Sequence, residues 1–93
     1  MKVIGIECYG YRDLERKFNM LKEIFTILKI YHYTFKRNTE IIVDEKIKYK
    51  FLNYRDPLIE SKIRVLKLDK IIDSAEIEDE YDNLKKKIYK MIN

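Results

Sequence analysis

Ninety-three residues, 46% apolar and 39% charged, describe one small domain over residues 1–93, with a single core and no room for a second. Two glycines and one proline argue against disorder, and one cysteine with one histidine, Cys8 and His32, excludes an internal disulfide or a zinc cluster. The formal charge of +4 is modest, no apolar run reaches membrane-spanning length, and Glu7 comes too early for a secretory signal, so the expected place is the cytoplasm with no membrane partner.

Lys2 to Tyr9 reads as a strand, with Ile4, Ile6 and Cys8 on one face and Val3 and Tyr9 on the other. Gly5 allows a neighbour to approach closely, and Cys8 is expected to be a small buried hydrophobe. Gly10 turns the chain. From Arg12 the period becomes helical, with Leu14, Phe18, Leu21, Phe25 and Leu28 on one stripe that Met20, Ile24, Ile27 and Tyr31 widen. A stripe so broad suits a helix laid on a sheet, over about residues 12–30.

Ile30 to Arg37 turns strand-like, Asn38-Thr39 is a turn, and Glu40 to Asp44 is a short apolar strand. Asp44-Glu45 reverses it into Lys46 to Leu52, where Ile47, Tyr49 and Phe51 face inward and Lys46, Lys48 and Lys50 face out. That lysine row can be read as a phosphate-binding, nucleic-acid-contacting surface or as a solvated, protected edge, and the second reading is favoured.

Asp56-Pro57 redirects the chain because proline fixes its own φ and drives the preceding residue out of the α region. A short helical turn over Leu58 to Lys62 could follow. The run Ile63 to Ile72 alternates too poorly for a half-exposed strand and predicts one covered on both faces. Asp73 then caps a helix over Ser74 to about Ile92, with Glu76 placed to reach back and Ile72 and Ile77 at the staple positions. This last helix carries Ile77, Tyr81, Leu84, Ile88 and Met91 at helical spacing, with acids from Glu76 to Asp82 and lysines from Lys85 to Lys90.

The predicted fold class is α/β: a small two- or three-layer domain on a central mixed sheet, in the order β-α-β-β-β-β-α. Its opening strand and the one closing at Asp73 form a parallel pair joined by a right-handed crossover.

The whole chain resembles a segment of the large terminase subunit, the ATPase of the motor that packs DNA into phage heads. The resemblance runs through VIGIECYG, the helix containing Phe18-Asn19-Met20-Leu21-Lys22, the hairpin ending KYKFLNYRDPLIESKIRV, and KIIDSAEIEDEYDNL. It implies that Asp73 is the first acid of the Walker B strand, which in that family serves Mg²⁺. Ser74 stands where the second acid would orient the attacking water, and Glu7 replaces a usual basic residue. Gly5 and Gly10 belong to no phosphate-cradling loop, and the residues include no coupling motif or nuclease domain. The resemblance with these departures implies a non-catalytic protein, not an enzyme, with no cofactor and no metal. It would act in the host-cell cytoplasm by binding a packaging component, a host factor, or itself.

Three other functions are compatible with the residues. A phage or mobile-element inhibitor of a host defence system would work by occlusion. A nucleic-acid binder would use Lys46, Lys48, Lys50 and Lys85 to Lys87. A metal nuclease would need Asp44, Glu60 and Lys62 together, and Ser74 as a nucleophile would need a base that no nearby residue supplies.

Overall fold

The computed structural model describes residues 1–35, 37 and 39–92. The first strand, β1 (Lys2–Cys8), leads through Gly10 into helix α1 (Tyr11–Ile27). Two strands of four residues, β2 (His32–Phe35) and β3 (Glu40–Val43), are followed by β4 (Ile47–Asn53), a short helix α2 (Ile59–Val65), strand β5 (Lys70–Asp73) and helix α3 (Ser74–Ile92). Among the described residues the strands form one mixed five-stranded sheet in the order β2-β3-β4-β1-β5. The expected α/β class and central mixed sheet are therefore present, with α2 added between the fourth and fifth strands.

Glycine at position 10 enters α1 with φ 98°, a conformation that side-chain-bearing residues rarely adopt. The helix ends three residues before the expected Ile30, for a local reason. Lys29 takes φ 56°, its N–H donates to the Thr26 carbonyl at 3.2 Å, and the Ile30 N–H donates to the Phe25 carbonyl at 2.9 Å. That double closure satisfies the last carbonyls and frees Ile30 to pack against the core. Asp44 and Glu45, at φ 50° and 55°, form the expected reversal between β3 and β4, the two left-handed residues of a type I′ hairpin. In the expected strand over residues 30–37 and the turn after it, Lys36 and Asn38 lie outside the described residues.

The core lies on one side of the sheet. Ile4, Ile6 and Cys8 of β1, Ile41 and Val43 of β3 and Phe51 of β4 meet Leu14, Phe18, Leu21, Ile24 and Phe25 of α1 and Ile77 of α3. Phe18 stands edge-on to Phe51, ring centres 5.4 Å apart. The two long helices run in the same direction, because Lys17 meets Glu78 while Glu23, further along, meets Tyr81 and Lys85. The other face of β1 is covered by the link that follows α2. A Cβ on Gly5 would come within 3.0 Å of Leu68 Cδ1 and 3.1 Å of Leu52 Cδ1, so the close approach expected at this glycine is made.

The predicted strand over Ile63 to Ile72 needs correction. Ile63 and Val65 belong to α2, residues 66–69 are irregular, and only Lys70–Asp73 is strand. It is an edge strand, and Ile71 is 42% exposed, so it is not covered on both faces. Two local devices explain this. Asp56 accepts from the Leu58 N–H at 2.9 Å and pairs with Lys62, which winds the chain after Pro57 and carries the short turn on to Val65. Asp69 then accepts from the Val3 N–H at 2.7 Å and gives its own N–H to the Val3 carbonyl at 2.8 Å, so pairing starts only there. The parallel relation survives: β1 pairs with β5 from Ile4↔Lys70 to Glu7↔Asp73.

Candidate functional site at the carboxyl ends of the parallel strands

In open α/β sheets, ligands gather outside the carboxyl ends of parallel strands, where loops and helix starts converge. Here β4, β1 and β5 are parallel and end together at Asn53, Cys8 and Asp73. Asn53 ties two of these ends: its Oδ1 accepts from the Gly10 N–H at 2.9 Å and the Arg55 N–H at 3.0 Å, while the Tyr54 N–H donates to the Cys8 carbonyl at 2.7 Å. Cys8 itself is buried, and that burial, reinforced by the charge of Asp13, pushes its thiol up to about 12. A thiol so placed is a packing residue, as expected, and not a nucleophile.

Asp73, the acid singled out in the sequence, sits at the end of β5 as expected, and its Oδ1 accepts from the Ala75 N–H at 2.9 Å. Ser74 is buried, and its hydroxyl donates to Asp13 Oδ2 at 3.3 Å. Asp13 also accepts from the Tyr9 N–H at 2.9 Å and from Lys17 Nζ at 2.8 Å. Lys17, only 5% exposed, has Glu78 at 3.5 Å, and Arg16 pairs with Glu78 from outside. Asp13, Lys17, Ser74 and Glu78 thus form one network that joins α1 to α3 beneath the sheet edge.

Burial works to neutralise both central members of this network. For Asp13 the hydrogen bonds from Lys17 and the Tyr9 N–H outweigh it, and the carboxyl is held below its ordinary 3.8. For Lys17 the Asp13 bond and charge, with Glu78, outweigh it, and the ammonium is held above its ordinary 10.5. At the solvent side, Tyr9 hydrogen-bonds to Glu7, which pushes the phenol up to about 12. The carboxylates at this edge therefore have internal partners: Asp13 binds Lys17, Glu7 binds Tyr9, and Asp73 holds a helix start.

The other sequence-derived residues are dispersed. Lys50 Nζ lies 2.7 Å and Lys48 Nζ 3.9 Å from Glu40, a carboxylate only 3% exposed, whereas Lys46 sits in the turn and approaches Asp44 at 3.7 Å. Two of the three lysines thus neutralise a buried acid. Asp44 lies in the turn before β4 with Lys46 beside it, whereas Glu60 and Lys62 belong to α2 after β4, where Lys62 pairs with Asp56. Among the described residues no group of three or more His, Cys, Asp or Glu side chains is placed to hold a metal ion. Likewise no described helix is long and apolar enough to cross a membrane.

The Asp13–Lys17 pair and Glu40 were not singled out from the sequence. Lys17 falls between Leu14 and Phe18 on the apolar stripe of α1, with Asp13 one turn earlier, and that position was the available signal. Glu40 opens the apolar run EIIV, and only pairing with Lys50 across the hairpin reveals its partner.

The site and sheet define a small mixed α/β domain whose strand ends are tied together by polar groups. No protein-family model, no curated protein and no solved structure matches the chain.

Proposed function

We propose that this protein acts by binding another protein, as a non-catalytic relative of the terminase ATPase segment that its sequence resembles. The observation that carries this reading is the end of β5. Asp73 stands at the carboxyl edge beside β1, in register with Glu7, where the resemblance puts the first Walker B acid, yet its Oδ1 is engaged in capping α3. The following position holds a buried serine bonded to Asp13, so no second carboxylate stands there to orient water.

The surface beside that strand favours contact. Among the described residues no strand pairs with the outer edge of β5, and Ile71 is partly exposed on it. An open strand edge that exposes an apolar side chain is a surface on which another chain can add a strand. The partner is a component of the packaging machinery, or a host factor that recognises such components, in the host-cell cytoplasm.

Titration of the purified protein against terminase subunits and portal protein tests this. Binding is expected to one of them, weakened at least about tenfold by Ile71→Lys, as for a residue near the centre of a contact. Binding to none of them overturns the packaging assignment. Mg²⁺-dependent phosphate release from ATP that disappears in Asp73→Asn overturns the non-catalytic one.

A further inference from the structure

One stripe of α3 faces solvent along its length and carries its charges in two blocks. Glu76, Asp79 and Glu80 occupy the first half, Asn83 the middle, and Lys86, Lys87 and Lys90 the second half, all exposed and spaced to line one side of the helix. Among the described residues none of these six charges makes an ion pair within the chain, whereas neighbouring Glu78 and Lys85 do. The helix packs on the core through a different stripe, Ile77, Tyr81 and Leu84. The fold does not require the charged one.

The helix dipole favours acids early and bases late, but its influence fades within the first and last turns. Asp79, Glu80, Lys86 and Lys87 lie inside those limits and need another reason. The acidic half also borders a cleft of about 390 Å³, whose apolar wall includes Leu21, Phe25, Tyr49 and Ile72. The basic half bears Tyr89 and Met91, 71% and 85% exposed.

From this self-complementary pattern we infer that α3 is a homodimerisation surface, two copies pairing this helix antiparallel about a two-fold axis at Asn83. In that register Glu76 faces Lys90 of the second copy, Asp79 faces its Lys87 and Glu80 faces its Lys86, each pair occurring twice by symmetry. A shift of one turn either way keeps only one of the three acid–lysine matches. The charges fix direction and register. This surface is separate from the β5 edge, so the inference stands or falls independently of the binding role proposed above.

Sedimentation equilibrium of the full chain, with charge-swapped variants, tests it. The protein is expected to dimerise, and raising salt from about 0.1 M to about 1 M, which shortens the screening length from about 10 Å to about 3 Å, weakens the dimer at least about tenfold. Lys86→Glu with Lys87→Glu, and separately Asp79→Lys with Glu80→Lys, each give monomers with an unchanged circular dichroism spectrum. Mixing the two variants restores a dimer containing one copy of each. A wild-type monomer at the highest concentration reached, a dimer indifferent to both substitutions, or folded variants that fail to associate on mixing overturns the inference.

Discussion

Lys17 concentrates the energetic consequences of this fold at a single position. An ammonium on the buried stripe with Leu14 and Phe18 loses its hydration, and Asp13 and Glu78 replace it. Asp13→Ala removes the nearer carboxylate and is expected to cost about 2–4 kcal/mol in urea unfolding, more than Lys17→Leu, which removes the buried charge itself. The pH dependence follows from the directions of the shifts. Because the folded Asp13 carboxyl lies below its ordinary value, its stabilisation is complete at neutral pH and disappears as pH falls through the lowered pKa. Lys17 is shifted upward, so its contribution is complete below the ordinary lysine value and is lost as pH rises through the raised one. Asp13→Asn is expected to flatten both limbs of a stability profile, the acid limb because the shifted carboxyl is gone and the alkaline limb because Asp13 is the chief partner that raises Lys17. The spacing of Asp13 and Lys17 on the helix was visible in the sequence; that Ser74 and Glu78 close the network depended on α3 arriving alongside.

At the scale of elements, the β3–β4 hairpin and α2 show opposite relations between sequence and structure. The hairpin was legible because EIIV and IKYKFLN each have enough apolar residues to fix their faces, and register then follows from the turn. Its turn uses an acidic pair in a left-handed conformation, so Glu45→Gly, at an exposed position, is expected to raise stability by up to about 1 kcal/mol in thermal or urea unfolding. The same hairpin bears on the lysine row. With Lys48 and Lys50 turned to Glu40, nucleic-acid affinity through this face is expected to be low, and Glu40→Gln, by releasing them, is expected to strengthen salt-sensitive DNA binding. A fluorescence titration showing no gain in that variant argues against phosphate contact through Lys46, Lys48 and Lys50. By contrast, α2 was misread in part because a run of Ile, Val and Leu between turns has no period strong enough to separate a buried strand from a short helix.

Across the whole molecule, the sheet holds the two long helices on one face and leaves α2 lightly attached, with none of its residues buried. Hydrogen exchange should follow that division. Amides of β1 and the middle of α1 are expected to exchange only through global unfolding, while those of α2 exchange fastest of any helix, through local opening. Equal protection of α2 and α1 contradicts this account. The sequence alone determined the α/β class, the two amphipathic helices, the hairpin and the helix start at Asp73, because each depends on side-chain period or on groups within a few residues of one another. Only the tertiary structure decided that β5 is a short exposed edge, that Lys17 and Glu40 are buried with partners, and that the charged stripe of α3 is left facing solvent. These outcomes depend on which distant segments occupy the space beside a residue, and local periodicity carries no record of that.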